Sequence, residues 1–320
     1  MPLPIVLDTD IGTDIDDAYA LLLSATSPEL DLRAVLTVNG DTLLRARLAR
    51  TLLDHAGRAD VPVYAGLGPS LSGATDRGWA GHEGQGIDLA PASSVRAASP
   101  ADVLRAQVGT VRAAGERLTL VAIGPLTNVA AGLHALEPAE RDAIAGVVAM
   151  AATFEGFGPD YAMPEHNVRC DPMAVRRVLE AGVALTFVGL NVTRRTSMGA
   201  DDVDANERLG TPLARDLARL HRVWFGHLRA SSSAMHDPLA VAHCICPSLL
   251  DMASARAEVD LDPAVAGCVI FLPADAPRGL PCRVAVGVDA DGFHRLFRAR
   301  VRAACAGGAA PRTQPEGPSL

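Results

Sequence analysis

Short apolar runs alternate along the chain with longer stretches in which apolar residues recur every three to four positions. "PIVLD" (4–8) is followed by "DDAYALLLSAT" (16–26), "LDLRAVLTV" (30–38) by "TLLRARLARTLLDHAG" (42–57), and "VPVYAG" (61–66) comes next. Later come "RLTLVAIG" (117–124) with "PLTNVAAGLHAL" (125–136), then "GVVAMAA" (146–152) and "ALTFVGL" (184–190). Near-continuous Val/Ile/Leu runs read as strands buried on both faces, and the longer periodic stretches as amphipathic helices crossing between them. The pattern predicts an α/β protein with one open, mostly parallel, Rossmann-like sheet and helices on both faces. It predicts a single domain over 1–304, with no repeat and no internal linker. The tail "CAGGAAPRTQPEGPSL" (305–320) has the composition of a disordered segment. Two long connections interrupt the alternation: 66–98, rich in Gly, Ser and Ala, reads as a mobile loop, and 153–170 is the second. Long loops in compact domains are usually functional.

Composition narrows the chemistry. All 29 basic residues are arginine and the net charge is −8. Without lysine there is no P-loop GK[ST] and no amine for Schiff-base chemistry. The acidic balance, with no basic stripe, argues against nucleic-acid or anionic-membrane partners. No apolar run approaches the roughly 20 residues that span a bilayer. The chain runs from Met1 straight into a strand, without a charged leader. Six cysteines form no CxxC pair and no disulfide-like spacing, which predicts a reduced, cytoplasmic protein.

The dominant local feature is "LDTDIGTDIDD" (7–17), where Asp8, Asp10, Asp14, Asp16 and Asp17 follow the apolar run Ile5-Val6-Leu7. Helix capping by Asp14, Asp16 or Asp17 before a helix at Ala18 accounts for one or two of the five. It does not account for Asp8 and Asp10 at a strand end, where neighbouring carboxylates repel and shift each other's pKa. A positive partner is required: an arginine, or a metal of the hard, oxygen-seeking kind such as Ca²⁺ or Mg²⁺. A strand ending DxD also opens phosphatases of the haloacid-dehalogenase type, with Asp8 as nucleophile and Asp10 as general acid. Gly12 and the missing lysine oppose that alternative. In open parallel sheets, ligands bind beyond the carboxyl ends of the strands, and polar residues gather there: Asp8 and Asp10, Asn39 and Asp41, 124–128 and Asn191.

Five segments together resemble the inosine–uridine-preferring nucleoside hydrolases over residues 3 to about 300. "DTDIGTDIDDA" (8–18) looks like their opening DxDxGxDD fingerprint with two residues added. "TVNGD" (37–41) with "VAIGPLTNVA" (121–130), "PEHNVRCDP" (164–172) and "MHDPLA" (235–240) follow in the family's order. The resemblance implies an N-ribohydrolase with one Ca²⁺ at the carboxyl edge of the sheet, acting on small-molecule nucleosides as a homo-oligomer, dimer or tetramer. It implies that Asp10 is both a Ca²⁺ ligand and the general base towards the metal-bound water, with Asp17, the Thr127 carbonyl and Asp237 as further ligands. Asp16, Glu165 and Asn167 are implied as ribose contacts, with Asp8, Asp14 and Asn39 in supporting positions. His236, directly before Asp237, is the candidate acid for the leaving base.

Other assignments stay open at this level. His82, in "GHEGQG" (81–86), lies in what looks like the family's active-site lid and is a candidate substrate contact. Trp79 either stacks on a purine or anchors the loop, whereas Trp224 reads as core packing and His166 as pocket wall. Asp41 stands where the family usually has asparagine, and Pro159 then Asp160 where relatives carry an asparagine for the ribose 5′ end. A modified or non-standard nucleoside is therefore an alternative substrate.

Overall fold

The computed structural model describes residues 1–72, 78–261 and 267–307. The first half follows the predicted alternation: β1 (Leu3–Thr9), α1 (Asp16–Thr26), β2 (Leu30–Thr37), α2 (Thr42–His55), β3 (Val63–Ala65), α3 (Pro100–Ala114), β4 (Leu118–Ala122), α4 (Thr127–Ala135), α5 (Pro138–Arg141) and β5 (Ile144–Ala149). The second half continues with α6 (His166–Cys170), α7 (Pro172–Glu180), β6 (Leu185–Phe187), α8 (Leu190–Thr193), β7 (Ser197–Gly199), α9 (Ala200–Glu207), α10 (Pro212–Leu228), β8 (Ser232–Ala234) and α11 (His236–Ile245). It ends with β9 (Leu250–Val259), β10 (Val269–Pro273), β11 (Leu280–Val288) and α12 (Ala290–Cys305).

The main sheet has the order β10-β9-β11-β6-β5-β4-β1-β2-β3. From β3 to β11 every neighbouring pair is parallel, and at one edge β9 runs antiparallel to both of its neighbours, β11 and β10. The run 3-2-1-4-5-6 reverses direction between β1 and β4, the switch point where doubly wound sheets open a crevice for ligands. Strand β1 shows why its sequence is apolar without alternation. Ile5 and Leu7 pack on one face with residues of α1, α2, α10, α11 and α12, and Val6 packs on the other with residues of α3, α4 and α7. Both faces being covered, every position after Leu3 is buried.

The antiparallel edge was not anticipated. Burial along β9 is mixed rather than continuous, as expected of a strand with one face partly wet. The predicted tail begins inside α12, and from residue 308 it lies outside the described residues. No helix among the described residues is long and apolar enough to cross a membrane.

Candidate active site

The β1–α1 connection, residues 10–15, lies at the carboxyl end of β1, next to the switch point. Here an open cleft of about 230 Å³ is lined by Asp10, Thr13, Asp14, Asp16 and Asp17 from the N-terminal segment. Ile123, Met150, Glu165, His166, Asn167, Leu190, Trp224, His236 and Asp237 complete the wall. The carboxylates of Asp16, Asp17 and Asp237 approach within 4.8 Å of one another, all three buried. The helix-capping account of this acidic run fails: α1 begins at Asp16, Ile15 is its N-cap, and no side chain caps it. Asp14 instead accepts from the Ile15 N–H at 2.6 Å.

Electrostatics mark the cluster as incomplete. Burial raises the Asp17 and Asp237 carboxyls well above their ordinary values, with repulsion from neighbouring aspartates adding to it. Asp14 is raised by burial and then by Asp16. Asp16 is raised by burial, against the pull of His236 and of the Asp237 N–H that donates to it at 3.1 Å. Asp16 and Asp17 sit in the first turn of α1 and Asp237 in that of α11, where the helix dipole favours negative charge. That help is worth about 0.3–2 kcal/mol, against several per buried ion. Among the described residues, none of the arginine–carboxylate ion pairs involves these groups. An all-oxygen set of buried, mutually repelling carboxylates has the chemistry to hold a hard divalent cation.

The other predicted residues fall into two groups. Glu165 and Asn167 line the cleft, as do Asp10, Asp14 and His236. Glu165 accepts from the N–H groups of Asn167, Val168 and Ala152, which oppose the upward push of burial on its carboxyl. The Asn167 amide donates to the carbonyls of Ile123 and Met150, both at 2.9 Å. His236 begins α11 with Nδ1 at 2.7 Å from the Thr193 hydroxyl, and burial lowers its pKa despite Asp16 opposite. Asp8, Asn39, Thr127, Asp41 and His82 lie outside the lining. Asp8 accepts from Asn128, Thr127 donates its hydroxyl to Asp171, and the exposed Asp41 caps α2 by accepting from the Leu44 N–H. Asp160 sits in an exposed turn, Pro159–Tyr161, and is not among the lining residues. Neither of the two positions that suggested an altered ribose is among the residues lining the cleft. His82 bonds the Thr13 carbonyl at 2.8 Å and approaches the cleft through Trp224, its ring centre 6.0 Å from that indole.

Of the two readings open for Trp79 the structure shows the loop anchor, whereas Trp224 departs from its expected core place. Trp79 lies over the Arg45 guanidinium at 5.1 Å and against Gly40, anchoring its loop. Trp224, read from sequence as core, lines the cleft with His227 stacked on it at 5.1 Å. Its buried Nε1 has no acceptor among the described residues. Three further residues went unnoticed in the sequence. Asn128 ties Asp8 to Thr37 and Leu67, Asp171 ties Thr127 to Leu71, and Glu83 binds Thr13. The GPLTN and DP segments carried the first two as a signal; Glu83 had none. The phosphatase alternative falls on Asp8, which is buried against Asn128 and does not reach the cleft.

Comparison with known proteins agrees with this geometry. Residues 5–295 match the family model described as inosine-uridine preferring nucleoside hydrolase. The chain is 31% identical over 307 residues to the non-specific ribonucleoside hydrolase RihC of Klebsiella pneumoniae, covering 92% of this chain and 97% of that one. It is 30% identical to probable uridine nucleosidase 2 of Arabidopsis thaliana, covering 93% and 97% of the two chains. Among solved structures, the purine-preferring ribonucleoside hydrolase from Gardnerella vaginalis superposes with a TM-score of 0.80 at 26% identity, covering 95% of this chain and 99% of that one.

Proposed function

Because this chain belongs to the inosine-uridine preferring nucleoside hydrolases, enzymes acting on N-glycosyl bonds, we propose that it is a calcium-dependent N-ribohydrolase releasing free base and ribose from ribonucleosides. The observation that carries the reading is the cleft itself: five aspartates at one end, with Glu165, Asn167, His236 and Trp224 around the remainder. Asp10, Asp17, Asp237 and the Thr127 carbonyl would hold the ion, with Asp16 in the tightest carboxylate group. When bound, it lowers the pKa of water and orients the ribose diol.

The chain's own residues supply the rest. Asp10 takes the proton of the attacking water. Asp16, Glu165 and Asn167 accept from ribose hydroxyls and face the ring as it becomes oxocarbenium-like, where fixed oxygens stabilise growing positive charge. The Thr193 hydroxyl lies 2.7 Å from Nδ1 of His236; with the hydroxyl as donor, the ring proton would sit on Nε2, available to the departing base. Trp224 offers that base a flat wall, while Ile123, Met150 and Leu190 keep the cleft apolar between its polar ends. Family kinship also supports a homo-oligomer, dimer or tetramer, and six cysteines outside any disulfide support a cytoplasmic setting.

The test is a panel of inosine, uridine, cytidine, adenosine and guanosine, with a nucleotide and a phosphate ester as controls, run with and without a calcium chelator. Base and ribose released, abolished by chelation and by Asp10→Ala, is the expected result. No cleavage of any nucleoside by calcium-loaded protein would overturn it.

A further inference from the structure

The β1–α1 connection is two residues longer than the family fingerprint it resembles, and Thr13 and Asp14 lie within it. A longer loop has more conformations to lose when its carboxylates are fixed. The structure shows what takes up that slack. Arg45, in the first turn of α2, is fully buried. Its guanidinium donates to the carbonyls of Asp10, Ile11 (2.8 Å) and Asn39 (2.8 Å), and to the Thr13 hydroxyl at 3.2 Å. All of these acceptors are uncharged, and Arg45 forms no ion pair with a carboxylate among the described residues. A buried charge so placed is costly, which singles it out from ordinary packing.

Thr13 is the other half of the arrangement. Its hydroxyl donates to Glu83 Oε1 at 2.7 Å, and its carbonyl meets His82 Nε2 at 2.8 Å. Glu83 in turn accepts from the Ala80 and Gly81 N–H groups, each at 2.8 Å. Burial pushes the Glu83 carboxyl up, but these three donors outweigh it and hold it below its usual range. Trp79 closes over Arg45 from above and packs against Gly40 so tightly that a Cβ there would lie 2.7 Å from its ring. Residues 79–83 thus meet the aspartate connection at Thr13 and Gly12, and Trp79 covers Arg45, which holds that connection from α2.

We propose that Arg45 and Thr13 are positioning residues that join the aspartate connection to the 79–86 segment, so that cation binding by the aspartates and ordering of that segment are one coupled event. The inference rests on the hydrolase reading above. Coupling follows because one guanidinium fixes the carbonyls on either side of Ile11 and the same hydroxyl group that anchors 79–83; movement of either side is felt by the other. Trp224, which His82 approaches, then receives the base only when the aspartates are set.

The experiment combines calcium titration calorimetry with hydrogen exchange of the 79–87 peptide in the full chain, for wild type, Thr13→Val, Glu83→Gln and Arg45→Lys. Calcium should slow exchange of 79–87 in wild type by about tenfold and leave it unchanged in Thr13→Val. Thr13→Val and Glu83→Gln, neither of which alters a carboxylate of the 8–17 cluster, should each weaken calcium binding about fivefold. Arg45→Lys should weaken it more, since an ammonium cannot span the same acceptors. Calcium bound with unchanged affinity by Thr13→Val, and exchange of 79–87 indifferent to calcium in wild type, would overturn the proposal alone. So would a loss of protection spread over the whole chain, which marks a merely structural role. Wild type that binds no calcium would instead refute the metal reading from which the proposal starts.

Discussion

Asn128→Ala should destabilise the fold by about 2–4 kcal/mol, out of proportion to the single amide group it removes. The side chain is fully buried at the start of α4. Its amide donates to Asp8 Oδ2 at 2.8 Å and to the Thr37 carbonyl at 3.0 Å, and its oxygen accepts from the Leu67 N–H at 2.8 Å. The losses are unequal. Thr37 keeps the Gly66 N–H at 3.0 Å, and Leu67 is part-exposed, so water can replace its partner. Asp8 has no such refuge. Its Oδ1 already lacks a partner among the described residues, and burial raises its carboxyl well above the ordinary range against the pull of Asn128. Each net hydrogen bond is worth about 1 kcal/mol and a stranded buried polar group about 1–3 kcal/mol, more for a charge, which gives the range. Equilibrium urea unfolding in chelator, so that no ion contributes, measures the loss. A double-mutant cycle with Asp8→Asn then isolates the pair, and about 1 kcal/mol or more of coupling is expected. A destabilisation below about 1 kcal/mol, or energies that simply add, would refute the reasoning.

Other consequences follow from the same structure. Trp224→Ala removes the flat wall of the cleft and should lower kcat/KM by about 2–12-fold, the kinetic equivalent of about 0.5–1.5 kcal/mol of aromatic contact; unchanged steady-state kinetics on every substrate would rule out the base-facing role. Gly40→Ala combines φ +66° with a Cβ 2.7 Å from Trp79, and should cost about 1–2 kcal/mol and shift the tryptophan fluorescence. His221 is buried between the Tyr19 hydroxyl and Ser233, and burial lowers its pKa to about 3. The folded state therefore binds fewer protons than the unfolded chain between pH 6.5 and 3, so stability is fully present above 6.5 and lost as pH falls. About 2 kcal/mol should disappear by pH 5, and a His221→Phe variant should not show that part of the slope. Calcium at 100-fold its Kd should add about 2.7 kcal/mol and raise Tm, an increment that chelator removes in wild type and that is absent in Asp17→Ala/Asp237→Ala.

Local pattern sufficed for much of this protein. α1 occupies the periodic stretch 16–26, β1 the apolar run before the aspartates, and the alternation through β6 the parallel sheet, because burial on both faces writes itself into consecutive apolar residues. The aspartates at a strand end declared a site because like charges do not gather there without a partner. Tertiary structure alone decided what surrounds them. Whether Trp79 or Trp224 meets the cleft depends on how the 79–86 segment and α10 dock, and both are aromatic residues in amphipathic or loop contexts that read alike. Asn128, Asp171, Glu83 and Arg45 act across sequence separations of 35 to 120 residues. No periodicity encodes such a bond, since a hydrogen-bond partner is chosen by where the folded chain places it and not by what precedes it along the chain.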